Sequence, residues 1–297
     1  MNSTLSTNYH LTQKVKDEQF DIDRISYYHL SLQVGTTRMR FCIHDLQKNR
    51  CLWLEDYTLA PQESAEMQLP QVQAIFESHH ILQAGFWKEI SISFLNRKFS
   101  LIPASLFQDD HLAAYLRPIA SVDSNTEQIL HFKHIGADIT NVFPAPYAYT
   151  QWFKAKYPNK TLRLVHNTSA LIEAALRNSE PASNTKKMFL CIEESHVSIL
   201  VTRGKVLEFC NVFPYSNDAD FIYFVMFVMD ELKMNPDSDM VILWGELMPN
   251  SPIYEKLYRY IRNVQFGNRP SMLSFGYQFD EQLDHRYYDL FCVHLCK

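Results

Sequence analysis

The chain has 297 residues, of which 46% are hydrophobic and 21% are charged, and its formal net charge is -5. This composition excludes a largely disordered chain, and the acidic balance argues against a nucleic-acid-binding protein, which usually presents a basic face. The longest apolar run, residues 221–229, is less than half of the ~20 residues that a transmembrane helix needs. We therefore expect a folded protein with no membrane span.

The first 24 residues read as a polar, flexible leader. They have neither the basic start nor the apolar centre of a signal peptide, so we predict a cytoplasmic location. The six cysteines include no C-x-x-C pair, and most lie in apolar runs, which is typical of core thiols in a reducing compartment. A disulfide or metal role for Cys292 and Cys296 remains the alternative.

A meander of three strands is predicted for residues 25–59, because aromatic and β-branched residues recur there between polar turns. A helix follows at 63–79. Further strands are predicted at 89–94, 99–102, 129–132, 139–143 and 162–166, and further helices at 109–116, 147–156 and 168–178. The polar stretch 178–187 then separates this first half from a second one.

The second half begins with a similar meander at residues 188–213. A shift of 158 residues sets Leu32 on Leu190 and Val34 on Ile192, so the two meanders read as copies. A helix at 218–233 is apolar around most of its circumference, which favours burial between layers and leaves a face for a partner as the alternative. Strands at 240–243 and 263–266 and a helix at 253–260 complete the pattern.

This order of elements, given twice, predicts an α/β protein with halves at 25–180 and 181–297. It resembles the actin-like ATPase superfamily, in which two ribonuclease H-like subdomains face each other across a nucleotide cleft. The runs YHLSLQVGTTRMRF and FSLIPASLF are similar, more narrowly, to an uncharacterised Bacteroidetes family with that fold. The resemblance implies a duplicated ribonuclease H-like fold of two mixed sheets, each opening with a three-stranded meander and covered by helices on both faces.

The glycines are too few for an ordinary nucleotide site. The chain has seven, where an average protein of this length has roughly 20, and no two are closer than nine residues. Backbone cradles for phosphates need several glycines close together. Active members of the superfamily carry D-x-G followed by two hydroxyl residues at the first phosphate turn. Here the matching residues are Gln33, Val34, Gly35, Thr36 and Thr37, and an amide brings no charge to hold Mg²⁺.

The second phosphate turn departs further from D-x-G. Its matching residues are Cys191, Ile192 and Glu193, followed by Glu194, Ser195 and His196. A non-glycine residue held at positive φ costs roughly 1–2 kcal/mol. A carboxylate ~4 Å from a phosphate charge adds repulsion of about 4 kcal/mol at an effective dielectric of 20. Solvated turn carboxylates are the favoured interpretation, and a metal-bridged glutamate pair is the alternative.

The third signature is the adenosine turn, with two glycines after a hydrophobic strand. It falls on VILWGELM, where Gly245 is present and Trp244 replaces the first glycine. We expect the indole to fill the space of a nucleoside, although stacking on a base is conceivable.

No other catalytic or metal motif is predicted. His131 and His134 form H-x-x-H, but on a strand their side chains point to opposite faces. We therefore predict a non-catalytic actin-like scaffold that binds an unidentified protein and uses no cofactor. The alternative is an ATP-binding or sugar-kinase-like enzyme, with Thr36 and Thr37 at the phosphates and Glu193 or Glu194 as metal ligand and base.

Overall fold

The structure, a computed structural model, describes residues 8–181 and 184–297. It contains two mixed sheets with helices on both faces, as the sequence predicts, and a small antiparallel sheet in addition. The strands are β1 (Tyr9–Lys16), β2 (Tyr28–Val34), β3 (Arg38–Asp45), β4 (Arg50–Leu59), β5 (Glu89–Phe94), β6 (Ser100–Pro103), β7 (Glu127–His134), β8 (Ile139–Pro146), β9 (Leu162–His166), β10 (Lys186–Ile192), β11 (His196–Arg203), β12 (Val206–Pro214), β13 (Met240–Gly245), β14 (Val264–Phe266) and β15 (Ser274–Phe275). The helices are α1 (Ala65–Ser78), α2 (Leu112–Leu116), α3 (Tyr147–Lys156), α4 (Asn167–Arg177), α5 (Asp218–Glu231), α6 (Pro252–Tyr260) and α7 (Tyr288–Cys292).

The two large sheets have the same core topology. The first contains the order β4-β3-β2-β5-β9, and the second has the order β12-β11-β10-β13-β14. The registers agree as well, because Val34 faces Met39 in the first meander and Ile192 faces Val197 in the second. The predicted duplication at an offset of 158 residues is therefore confirmed.

Residues 9–16 correct the predicted leader. They form β1, which pairs antiparallel with β4 and extends the first sheet. Most of its side chains are exposed and only Val15 packs in the core, which explains why the segment looked like a polar tail. Residues 17–24 of the predicted leader are also ordered: Asp17 is buried and paired with Arg50, and a 3-10 helix begins at Ile22. Residues 1–7 of the predicted leader lie outside the described residues.

The small sheet is inserted in the first half between β5 and β9. Its strand order is β6-β8-β7, and all its pairings are antiparallel. On β7, His131 is exposed while His134 is buried against Glu173, so the two imidazoles point to opposite faces as expected.

Alternating side chains of the second sheet contribute to two cores. On β10, Met188, Leu190 and Ile192 pack with α5 and α6, while Phe189 and Cys191 pack with α4 and α7 on the opposite face. Helices α4 and α7 also contact each other and elements of the first half. They therefore lie between the two halves.

The segment after β14 packs back onto the first half. β15 pairs with β4, and α7 contacts β2 and β3. Further along, Val293 and Cys296 belong to the core of the first sheet. Tyr288 and Cys292 pack instead with residues of the second half. Residues 274–297 thus contact both halves, and the predicted division at residue 181 stays a prediction. All six cysteines are free thiols, and Cys292 and Cys296 are buried.

Helix α5 departs from the expected burial. Asn217 caps it by accepting hydrogen bonds from the amides of Ala219 and Asp220. Its inner face is buried, but Tyr223 is 62% exposed and Phe227 is 44% exposed. The prediction that the whole helix is buried is therefore wrong for its outer face. Within the residues that the structure describes, none of the helices is both long and apolar enough to cross a membrane.

Candidate functional site

The two predicted phosphate turns face each other across a cavity between the halves. The cavity has a volume of about 870 Å³, and both the first turn, 35–37, and the second turn, 193–195, line it. The turns close in the same way: the amide of Gly35 donates to Arg38 O at 2.9 Å, and the amide of Glu193 donates to His196 O at 2.9 Å. The duplication thus places the two predicted turns at one site, which we call the cleft cavity.

The backbone of the second turn is not strained in the expected way. Among the described residues, the non-glycine residues with positive φ are Asn49, Asp138, Lys233 and Tyr287. Glu193 is not among them, so the predicted strain at this position is wrong. In the first turn, glycine is explained by close packing, since a Cβ on Gly35 would lie 3.0 Å from the Cβ of Leu95.

Two arginines on β3 lie at the base of the cleft cavity. Arg38 and Arg40 alternate with Met39, so their side chains share a face of the strand. Arg40 is only 2% exposed, and its Nη2 lies 2.7 Å from Oε2 of Glu193. Its Nη1 lies 3.6 Å from Oδ1 of Asp289 on α7. One buried guanidinium therefore connects the first half, the second turn and the returning C-terminal segment.

Arg38 makes the second set of contacts. Its Nε and Nη2 donate to the two carboxylate oxygens of Asp56 at 2.8 and 2.6 Å. Its Nη1 forms an ion pair with Glu246, which follows β13. The hydroxyl of Tyr287 donates to Asp56 at 3.0 Å. A bidentate guanidinium–carboxylate pair of this kind is among the strongest hydrogen-bonded pairs in proteins.

We call these six residues the ionic cluster: Arg38, Arg40, Asp56, Glu193, Glu246 and Asp289. Its four carboxylates outnumber its two guanidiniums, and Arg286 adds a third guanidinium 3.7 Å from Glu246. Burial raises the pKa of Glu193, against the opposing charge of Arg40. At Asp56 burial acts in the same direction, but the hydrogen bond from Arg38 and the charge of Arg40 prevail and lower the pKa. The cluster therefore holds excess negative charge where a nucleotide would bring phosphates.

Gln33 belongs to the same arrangement. Its Nε2 donates to Oδ2 of Asp289 at 2.8 Å, and both side chains are buried. The residue that replaces the metal-positioning aspartate therefore binds an internal carboxylate.

A metal ion has one candidate ligand set in the described chain. The ligand atoms of Cys191, Glu193 and Asp289 lie within 4.8 Å of one another. Burial strongly raises the pKa of the Cys191 thiol, which keeps it protonated, and Arg40 already contacts both carboxylates. A thiol and two carboxylates paired with arginine do not fit Mg²⁺, which prefers free oxygen ligands.

The remaining predicted turn residues lie at the cavity surface. Thr36, Thr37, Glu194 and Ser195 are exposed and line the cleft cavity. Beside them, burial and the nearby arginines lower the pKa of His196 to about 4.

Trp244 and Gly245 lie elsewhere. The indole is 1% exposed and stacks on Tyr288 with ring centroids 4.3 Å apart, and on Phe189 at 4.7 Å. It is a core side chain between β13 and α7, and its predicted relation to a nucleoside stays a prediction. Gly245 has φ +86°, and a Cβ there would lie 2.2 Å from the carbonyl oxygen of Ile192, so this position requires glycine.

Sequence reasoning missed most of the ionic cluster. Of its members only Glu193 was a candidate, because Asp56 and Asp289 lie far from the turn motifs in sequence. One local signal was available: Arg40 lies between Met39 and the apolar residues 41–43 of β3, and a buried arginine requires carboxylate partners.

The fold has close matches among solved structures. A Bacteroides thetaiotaomicron protein with an actin-like ATPase fold and unknown function superposes with a TM-score of 0.79, at 19% identity, over 94% of this chain and 100% of that chain. The PilM–PilN type IV pilus biogenesis complex gives a TM-score of 0.50 at 9% identity, over 90% of this chain and 98% of that chain. The ethanolamine utilization protein EutJ of Carboxydothermus hydrogenoformans gives a TM-score of 0.48 at 10% identity, over 91% of this chain and 90% of that chain.

These identities are low, so the matches bear on the fold, and the actin-like ATPase fold predicted from the sequence is confirmed. Residues 17–264 match the model of a protein family of unknown function, DUF3822. No curated protein sequence matches the chain.

Proposed function

Because the chain belongs to the DUF3822 family of proteins of unknown function, we propose a role from its site: a non-catalytic scaffold of actin-like fold that binds another protein. One observation carries the proposal. The guanidinium of Arg40, bonded to Glu193 and close to Asp289, occupies the position between the two phosphate turns. An internal ion pair thus stands where active members of the fold place phosphates and metal.

Charge supports the same conclusion. A carboxylate ~4 Å from a phosphate charge repels it by about 4 kcal/mol at an effective dielectric of 20. A micromolar nucleotide affinity is worth only about 8 kcal/mol. One such repulsion would remove about half of this affinity. Because Arg40 is also already paired with the carboxylate of the second turn, we infer that ATP and Mg²⁺ are not cofactors of this protein.

The surface supports a protein partner. Tyr223 and Phe227 stack on the outer face of α5 with centroids 6.1 Å apart. Exposed aromatic residues are favoured at protein interfaces. The PilM–PilN complex offers a precedent for an actin-like fold in a protein–protein assembly. We place the protein in the cytoplasm, where its six free cysteines suit a reducing compartment.

The test is a thermal-shift and calorimetric titration with ATP, ADP and Mg²⁺ to several millimolar. Ligand that binds only the folded state raises the melting temperature as RT ln(1 + [L]/Kd). We expect no shift and no heat of binding. A concentration-dependent shift would overturn the proposal and favour the ATP-binding or sugar-kinase-like enzyme.

Two variants make that titration specific. Glu193→Gly restores the glycine of the second motif and removes the carboxylate that pairs with Arg40, so nucleotide binding should improve in this variant if repulsion is the obstacle. If Glu193 were instead a metal ligand, the wild type would bind and this variant would not. Glu194→Gln, at an exposed position of the same turn, is the matched control.

A further inference from the structure

A second cavity lies within the first half and is distinct from the cleft cavity. Its volume is about 600 Å³, and it is enclosed by the first turn of α1, the end of β5, the loop before β7 and the start of α3. The two cavities meet near Gly35 and Thr36. We call the second cavity the α1 groove, and its volume is in the range of about 300–1,000 Å³ that is usual for ligand sites.

The walls of the α1 groove are largely apolar. Val34, Phe94, Leu95 and Pro146 supply apolar surface. These apolar residues form the floor of the groove, and an apolar surface binds apolar side chains by removing them from water.

One buried hydroxyl in the groove lacks a partner. Tyr149 lines the cavity and is 4% exposed, yet its hydroxyl makes no hydrogen bond within the described chain. Buried hydroxyls are normally hydrogen-bonded, so an orphan at the wall of a cavity indicates a group that a ligand satisfies. By contrast, the hydroxyl of Tyr157 on the same side of the sheet donates to Leu82 O at 2.7 Å.

The rim of the groove is acidic. Glu63, Glu66 and Asp123 are exposed and make no ion pair among the described residues. The single lysine at the groove, Lys98, is neutralised by Glu127 at 2.9 Å. Three uncompensated carboxylates therefore face one opening, and they favour a cationic occupant.

From these observations we propose that the α1 groove binds an extended peptide segment of a partner protein, with a lysine or arginine beside apolar side chains. The apolar side chains lie on the floor, a backbone group meets the Tyr149 hydroxyl, and the basic residue pairs with the rim. The choice of a peptide rests on the proposed scaffold function. The basic and apolar character of that peptide is inferred from the residues of the groove.

The test uses fluorescein-labelled heptapeptides and fluorescence anisotropy at physiological salt, which screens weak surface attraction. The probe alternates leucine and lysine. One analogue replaces each lysine by glutamate, and another replaces each leucine by serine. We expect the probe to bind the wild-type protein and each analogue to bind at least about tenfold more weakly, the loss expected for charge-assisted contacts and buried apolar side chains.

Protein variants locate the binding. Neutralising the rim with Glu63→Gln, Glu66→Gln and Asp123→Asn is expected to lower the affinity for the probe about tenfold or more. A control removes the same charge at three exposed positions outside the groove, with Glu77→Gln, Glu231→Gln and Glu281→Gln, and is expected to leave the affinity unchanged.

The tyrosine pair separates binding from folding. Tyr149→Phe removes an unsatisfied buried hydroxyl, so it is expected to raise the melting temperature of the free protein. The same variant is expected to bind the probe more weakly. Tyr157→Phe removes a satisfied hydroxyl, so it is expected to lower the melting temperature without changing the affinity.

Three outcomes overturn the groove proposal: no binding of the probe, equal binding by the rim variant, or full competition by hexylamine, which would indicate a site for small organic cations. These outcomes leave the scaffold function standing. A positive nucleotide titration would overturn the scaffold function and leave the peptide result as measured.

Discussion

The first and second sheets hold equivalent residues in the same register, but the chemistry at some of these positions differs completely. His29 faces His44 on β2 and β3 of the first half. At the same offset, Lys187 faces Thr202 on β10 and β11 of the second half. The apolar pairs between the strands are kept in both meanders, so the repeat survives where the sheet must pack.

The helices that follow the meanders differ in the same way. Helix α1 buries Ile75 and exposes Glu66 and Glu77, an ordinary amphipathic pattern. Helix α5 exposes Tyr223 and Phe227 instead. The two halves therefore share the apolar positions that the core requires, while the residues of the outer helix faces differ between them.

The largest expected effect comes from removing the residue that joins the halves. Arg40→Met leaves Glu193 and Asp289 without their buried partner, and breaking a buried ion pair in this way costs about 3–5 kcal/mol. Urea unfolding measures the loss. Lys256→Met, at a partly exposed pair with Asp218, is the control and should cost at most about 1 kcal/mol. A loss below that control would show that the cluster does not hold the halves together.

Acidification is expected to destabilise the first half, with an effect per buried imidazole that is smaller than the loss of Arg40. His29, His44 and His294 form a buried group. Burial lowers the pKa of each imidazole, to about 3 for His29 and about 4 for His294, and the neighbouring imidazoles lower the pKa of His29 and His44 further. Glu89 lies 3.4 Å from His29 and is itself paired with Arg163, whose charge also lowers the pKa of His29. Because the unfolded chain takes up these protons near pH 6.5 and the folded chain does not, stability falls below that pH. Each imidazole contributes about 1.4 kcal/mol per pH unit.

Urea unfolding between pH 7.5 and pH 4.5 checks this slope. His294→Phe keeps a ring but removes one titrating group. The variant should therefore take up one proton fewer on unfolding, and the slope of its unfolding free energy against pH should be smaller than that of the wild type by about 1.4 kcal/mol per pH unit. An unchanged slope in the His294 variant would mean that the buried imidazoles are not the source.

The smallest expected effect on stability tests the outer face of α5. Tyr223→Ser combined with Phe227→Ser should change the free energy of unfolding by no more than about 0.5 kcal/mol, because neither side chain is in the core. Phe221→Ser, at a fully buried position of the same helix, should cost several times more and serves as the control. A large loss in the double variant would assign the aromatic face to folding rather than to a partner.

The repeated strands and helices could be predicted from the sequence, whereas β1 and α7 could not. Strand alternation and the offset of 158 residues fixed both meanders, and α3 occupies the predicted residues 147–156. β1 was missed because an edge strand with one buried side chain resembles a polar tail. α7 was missed because a five-residue helix buried on all sides has no amphipathic period.

The candidate site shows the same limit. The two turns were found from motif positions, and the structure places them together at the cleft cavity. The partners of Arg38 and Arg40 come from β4, from the residues after β10 and β13, and from α7. No local pattern specifies which distant carboxylate approaches a buried arginine, because tertiary packing alone brings them together.

The return of the C-terminal segment to the first sheet affects how the chain folds during synthesis. Val293 and Cys296 complete the core of the first half, and Asp289 completes the ionic cluster. The first half emerges from the ribosome with those core positions unfilled. Domains that emerge early usually fold as units. Here the early half exposes apolar surface, and its Arg40 has Asp56 as carboxylate partner from the same half, until the C-terminal segment has been made.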